Sequence, residues 1–229
     1  MSHEIAHSVT EAVLSRISVR AFSDRLVDTA VLRDILATAA RSPSGGNLQP
    51  WHVDVLIGDR LAQFKALIAE RRRVMPQGEE PEYDVYPKDL MEPYKTRRSK
   101  CGEDMYATLS ISREQRAERL AFIAGNFAFW NAPVGMFFSL ERRMGPPQWS
   151  DLGMFMQTVM LLAREAGLHT CAQEAWSRWH ATISQFIDMP ASRMLFCGMA
   201  LGYADPGHAV NTLRTQREAL DQFATFHGM

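Results

Sequence analysis

Residues 133–140 (P-V-G-M-F-F-S-L) and 194–201 (M-L-F-C-G-M-A-L) are apolar at almost every position and too short for an ordinary buried helix. Runs of this kind are strands covered on both faces. A third segment, 51–57 (W-H-V-D-V-L-I), alternates and is rich in β-branched residues, and Gly58-Asp59 ends it. The cover must come from helices. Val9, Ala12 and Val13 recur at helical spacing in 8–14, and Asp28 caps a second helix whose apolar stripe is Val31, Leu32, Ile35, Leu36 and Ala39. That helix must stop before Pro43. Further helices are expected over 61–71, 117–130 and 182–187. The segment 151–166 is apolar nearly all round, which suits a central helix ended by Gly167. The polar tail is expected to close in an amphipathic helix over about 218–226. The sum is an α+β fold with helices packed on a small, largely buried sheet.

The texture changes over about 72–118, where Pro76, Gly78, Pro81, Pro87 and Pro93 break the chain between tyrosines and cations. Lacking a long periodic apolar face, it reads as a lid inserted into one domain spanning 1–229. With 229 residues, 46% of them hydrophobic, the chain can bury a core without disulfide or metal staples. A net charge of −1 lacks the footprint of a nucleic-acid binder. Cys101, Cys171 and Cys197 are too scattered for a disulfide framework and read as small buried hydrophobes. His3 and His7 read as solvated. The first residues contain acids and no long apolar run, so no signal peptide is expected. No stretch approaches the roughly 18 apolar residues of a spanning helix. A soluble, cytoplasmic protein is the expectation.

Familiar catalytic signatures are missing. No G-x-G-x-x-G follows a strand, Gly45-Gly46 lacks the Lys-Ser/Thr of a phosphate-binding loop, and no G-x-S-x-G marks a nucleophile. His169-x-Cys171 has no second pair at ligand spacing, so no metal is expected. Three other places stand out. In R-I-S-V-R, alternation puts Arg16, Ser18 and Arg20 on one side of an extended segment. That arrangement is an anion cradle, since guanidinium forks match phosphate oxygens, or a solvated basic loop. Residues 42–51 (S-P-S-G-G-N-L-Q-P-W) join a helix to a strand through small residues, which admit a planar ligand closely, and through the amides of Asn47 and Gln49. An ordinary turn would use similar residues. Gln173-Glu174 is polar text between apolar segments, as at an edge presented to a ligand. Late in the chain, Arg214 and Arg217 could join the first two arginines or simply face solvent.

Taken in order, R-I-S-V-R, S-P-S-G-G-N-L-Q-P-W-H, N-A-P-V-G, Gly167-Leu168 through Gln173-Glu174-Ala175-Trp176, and C-G-M-A-L-G-Y-A-D resemble the FMN-dependent nitroreductase family from about residue 10 to 220. The segments Y-P-K-D-L-M-E-P-Y-K-T-R-R and W-S-D-L-G-M-F-M-Q resemble its nitroarene reductase branch, which includes reductases of nitrobenzoates, dinitroaniline herbicides and nitro-drugs. The resemblance implies a nitroreductase-like fold, a mainly antiparallel central sheet packed by helices in an intertwined homodimer, with FMN at the subunit interface. It implies NADPH or NADH as reductant and a nitroaromatic substrate. Reduction would run from nitro to nitroso, hydroxylamine or amine, by ping-pong hydride transfer through the flavin N5. Enones, quinones or free flavin are alternative acceptors, and a non-catalytic flavin-binding protein is a further alternative.

By position, the resemblance assigns Arg16, Ile17, Ser18 and Arg20 to the FMN phosphate and ribityl chain. It assigns Pro43, Ser44, Gly45, Asn47 and Gln49 to a loop that reaches the flavin across the interface. Gln173, Glu174 and Ala175 fall in the segment whose main-chain N–H points at N5, with Ala175 where many relatives carry Gly. Arg217 matches a late phosphate-binding arginine, and Arg214 could substitute for a second cation where Thr215 stands. No side chain is expected to act as nucleophile or base. Tyr94 of the lid, Phe127, Phe129 and Trp149 are candidates for stacking a nitroarene, although Phe127 and Phe129 would equally suit the core. Lys95, Arg97, Arg98 and Lys100 could attract a carboxylate or a nicotinamide phosphate, but read first as a solvated cluster.

Overall fold

The computed structural model describes residues 5–228; His3 therefore lies outside the described residues, and His7 is exposed. Four strands form one antiparallel sheet in the order β1-β2-β4-β3: β1 His52–Ile57, β2 Val134–Glu141, β3 His169–Gln173 and β4 Arg193–Gly202. The apolar runs become the inner pair, β2 and β4, as their lack of alternation requires. Helices cover both faces. Phe137 of β2 faces a cluster with Phe64 and Ile68 of α3 (Gly58–Val74), Trp176 and Ile183. Met136, Phe138 and Leu140 face the opposite cluster, built with Leu32 and Ile35 of α2 (Thr29–Ala39) and Leu152, Phe155 and Val159 of α6 (Pro146–Glu165). Asp28 caps α2 as expected, its carboxylate accepting from the Ala30 N–H at 2.8 Å.

The remaining helices are α1 (Val9–Ser15), α4 (Tyr94–Thr108), α5 (Arg116–Ile123) and α7 (His180–Phe186). α4 lies within the proline-broken region and buries only Met105. The stripe on α1 behaves unexpectedly: Ala12 is buried, but Val9, Val13 and Leu14 are 75%, 49% and 76% exposed.

Three local expectations are corrected. The helix expected over 117–130 ends at Ile123, and a 3₁₀ segment, Ala124–Asn131, follows, with Phe129, Trp130 and Asn131 at φ 52°, 53° and 63°. Pro133 holds Ala132 extended, and the turn drives Phe129 and Trp130 into the core. Gly125 and Gly135 leave the room: a Cβ on either would lie 2.5 or 2.6 Å from those rings. The helix expected near 218–226 is only a 3₁₀ turn at Leu220–Gln222. Leu220, Phe223 and Phe226 are 57–70% exposed, and so short a helix with nothing to pack on is marginal. Of the cysteines, Cys171 and Cys197 are buried but Cys101 is exposed. Finally, β3, too short and polar to be recognised by pattern, is a strand because β4 pairs with it.

Candidate active site

α1 ends where Arg16 turns extended, and the chain then runs beside the free edge of β3. Ser18 bridges Thr170 in parallel, and the Val19 N–H donates to the Thr170 carbonyl at 3.0 Å. Val19 is fully buried, so the alternation turns Arg16, Ser18 and Arg20 outward. A buried asparagine brings the late arginines to them. Asn211 accepts from the Arg20 N–H at 3.0 Å and donates to the carbonyls of Ala21 at 2.8 Å and Asp205 at 2.9 Å. Nothing in its local sequence separates Asn211 from any turn asparagine. From there Arg214 donates back to the Asn211 carbonyl at 3.1 Å, and Arg217 to the Thr215 hydroxyl at 2.6 Å.

The result is a cleft of about 610 Å³ lined by Arg16, Arg20, Arg214, Arg217, Ser18 and Thr215, with apolar walls from Val13, Leu14, Ile17 and Leu213. Cys101 of α4 and Gln157 of α6 complete it. No carboxylate lines it among the described residues. Desolvation and then the proximity of Arg217 lower the pKa of Arg16. The guanidinium groups of Arg16, Arg20 and Arg217, converging with no lining carboxylate among the described residues, favour an anion.

Next along β3 is the second element. The Gln173 side chain is 2% exposed and committed to the protein: Nε2 donates to the Asn126 carbonyl at 2.9 Å, and Oε1 accepts from Trp176 Nε1 at 3.3 Å. Gln173 can therefore meet a ligand only through its main chain. Glu174 faces the opposite way and stays accessible, with desolvation raising its carboxyl pKa. Nearby Tyr83 stacks on Phe196 and meets Trp149 edge-on, with centroids 6.1 and 5.5 Å apart. Phe196 is the extra residue of a β-bulge, since Phe138 pairs with Cys197 and Ser139 with Leu195. The bulge frees its carbonyl, which accepts from the Tyr83 hydroxyl. Burial first, then Cys197 and Glu174, raise the Tyr83 phenol pKa. Tyr83 and Phe196 were not among the sequence candidates, because a bulge leaves no mark in a one-dimensional pattern.

The other candidates lie elsewhere. The 43–49 loop sits against α6 and lines no part of the cationic cleft of its own chain; Pro43, Gly45, Asn47 and Gln49 are exposed and Ser44 is half-buried. Phe127 is half-buried between Trp176 and Trp179, with the Arg72 guanidinium 4.8 Å above its ring. Phe129 is wholly core. Tyr94 is 54% exposed at the start of α4, and of that helix only Cys101 reaches the cationic cleft. Around it, Arg97 pairs with Glu218 at 2.9 Å, Lys100 with Asp104 at 2.7 Å, and Arg98 covers Tyr86.

In this α+β fold the edge strand of the antiparallel sheet adjoins an arginine-lined, apolar-walled cleft whose chemistry suits an anionic, partly apolar ligand. Residues 13–203 match the nitroreductase family, and the chain belongs to that family. It is 36% identical over 219 residues to a 4-nitrobenzoate reductase of Pseudomonas putida, covering 94% of each chain. It is 34% identical over 218 residues to a chloronitrobenzene nitroreductase of Comamonas testosteroni, covering 95% of this chain and 96% of the relative. Among solved structures, the FMN and NADPH-dependent nitroreductase NfnB from Sphigopyxis sp. strain HMH superposes with a TM-score of 0.94 at 43% identity, covering 97% of this chain and 100% of that one.

Proposed function

We propose that this chain is an NAD(P)H-dependent FMN oxidoreductase that reduces aromatic nitro groups. The observation that carries the reading is the convergence of Arg16, Arg20 and Arg217 on a cleft with apolar walls and, among the described residues, no lining carboxylate. A flavin phosphate supplies the missing anion, and Val13, Leu14, Ile17 and Leu213 suit the carbon skeleton behind it. Ser18 and the main chain at Ile17 border the phosphate end. The segment 173–175 offers main-chain donors toward the ring system. When bound, FMN supplies the hydride chemistry, while the protein supplies binding, orientation and exclusion of water.

The reading extends to a homodimer, with Pro43, Ser44, Gly45, Asn47 and Gln49 of a second copy closing the flavin site. Several observations support it. The chain exposes 13,443 Å², against roughly 10,500 Å² for a compact monomer of this mass. Val9, Val13 and Leu14 turn outward on α1, as do Leu48 in the loop and Met154 on α6. Gly153, in the middle of α6, would meet nothing within 4 Å if it carried a Cβ. A mid-helix glycine costs about 1 kcal/mol relative to alanine, and close approach of a second chain accounts for it.

Residues 72–118 act as a lid in this reading, with Trp149, edge-on to Tyr83 and Phe196, as one aromatic candidate for a nitroarene ring and Phe127 and Tyr94 as the others. The reductant and the nitroarene take the same open face in turn. The absorption spectrum of purified protein, before and after anaerobic NADPH, tests the reading. A flavin spectrum that bleaches and then recovers on adding 4-nitrobenzoate is expected. Protein that neither carries nor takes up FMN overturns it, and bleaching without recovery overturns the nitroarene assignment.

A further inference from the structure

We propose that Asp151 is a positioning residue for flavin binding, holding the 43–49 loop through the main chain of Gly45. The inference rests on the reading above, in which this loop of one copy closes the cofactor site of the other.

Asp151 is 5% exposed and projects from α6 among Leu152, Phe155 and Met156. Among the described residues no Lys, Arg or His pairs with it. The Gly45 N–H donates to its Oδ2 at 3.2 Å. Burying a carboxylate for one peptide N–H is a poor way to stabilise a helix, and an apolar residue would pack at less cost. What the carboxylate does achieve is local. Two turns further along α6, Thr158 accepts from the Ser42 hydroxyl at 2.8 Å while donating to the Met154 carbonyl at 2.9 Å. Ser42 and Gly45 are thus pegged to one face of the helix, seven residues apart on it.

Beyond the pegs the loop closes on itself. The Gln49 N–H donates to the Ser44 hydroxyl at 3.0 Å, and Gly46, Asn47 and Gln49 adopt φ 58°, 57° and 49°. The Gln49 side-chain amide donates back to the Asn47 carbonyl at 3.2 Å, and both residues stay exposed. Left-handed backbone at two non-glycine residues persists only where surrounding structure holds it. Of the two pegs, only the one at Gly45 uses a charged acceptor, and it is the one that holds the main chain of the loop itself. Asp151 therefore sets where the loop, and with it Asn47 and Gln49, meets a ligand, without touching the ligand itself.

The test uses apo-homodimer titrated with FMN and followed by flavin fluorescence, with amide exchange over residues 43–49 as a second readout. D151A is expected to weaken FMN binding by about tenfold or more and to speed exchange at 45–49. D151N is expected to restore both, because its amide oxygen accepts the same N–H. Where D151A does not fold, D151S, too short to reach Gly45, takes its place. Wild-type affinity in D151A or D151S overturns the proposal, as does lost affinity with unchanged exchange, or a loss that D151N fails to rescue. R217A separates this from the cofactor reading. Wild-type protein that ignores FMN, or an R217A variant that binds it unchanged, refutes that reading whatever Asp151 does.

Discussion

Gly198→Ala tests how the core sets the edge of the site. Gly198 lies in β4 opposite Gln173. A Cβ there would stand 2.2 Å from Cδ1 and 2.9 Å from Nε1 of Trp176, where ordinary contact begins at 3.4 Å. The indole must therefore retreat by about 1.2 Å, the difference between those distances. It has nowhere to go: Phe129, Phe64 and Phe137 surround it at 4.7, 5.4 and 5.5 Å between centroids, and all are fully buried. Overpacking of this kind costs about 1–3 kcal/mol. Loss of the Trp176–Gln173 hydrogen bond adds about 1 kcal/mol. For a chain of this size the sum of about 2–4 kcal/mol lowers Tm by roughly 4–16 °C. Thermal unfolding measures it, and tryptophan fluorescence reports the displaced indole. Adding Trp176→Phe, a smaller ring, should recover part of the loss, giving a coupling that a double-mutant cycle reads. A G198A variant melting within a degree of wild type, with unchanged fluorescence, would refute the packing argument.

Arg217→Ala removes a like charge from beside Arg16, so the apoprotein should keep or raise its Tm while FMN affinity falls by about ten- to a hundredfold; equilibrium titration and calorimetry of the same sample check both signs. Gly45→Val meets only ordinary contact at its Cβ within its own chain, where the nearest atom, Asp151 Oδ2, is 3.9 Å away. Its apo protomer should therefore fold normally, and FMN occupancy after dialysis should drop; full occupancy contradicts the approach of loop to cofactor. Glu103 is held down to about 2 by its bidentate hydrogen bonds with Arg119 and by Arg113. Because its folded pKa is depressed, the stabilisation is present above about pH 4.5 and is lost as pH falls toward 2. Glu103→Gln should accordingly melt below wild type at pH 7, and the two curves should converge in acid. A Tm gap that is constant from pH 7 to pH 3 would count against the linkage.

Much of the scaffold is determined by local text. The unbroken apolar runs that became β2 and β4 state that both sheet faces are covered, because only a strand buried on both sides can dispense with alternation. Asp28, the stripe on α2 and the all-round apolarity of α6 place two of the covering helices the same way. The alternation in R-I-S-V-R likewise determined that Arg16, Ser18 and Arg20 share a side. These are short-range signals, written in the period of the backbone itself.

Other features were decided only when distant segments met. β3 is a strand because β4 supplies its hydrogen bonds, and the left-handed turn at Phe129–Asn131 exists because the core accepts two rings there. The tail helix near 218–226 fails for the opposite reason: its apolar residues find no surface in the chain. The cleft itself depends on Asn211, which ties residues 20 and 21 to the segment leading to Arg214 and Arg217 across some 190 positions. Tyr83 and Phe196 meet through a bulge, and Gly45 meets Asp151 across 106 positions. Periodicity carries the burial of each element, because side-chain direction follows from the backbone repeat. It carries nothing about which loops converge, since that is settled by long-range closure of the packed sheet.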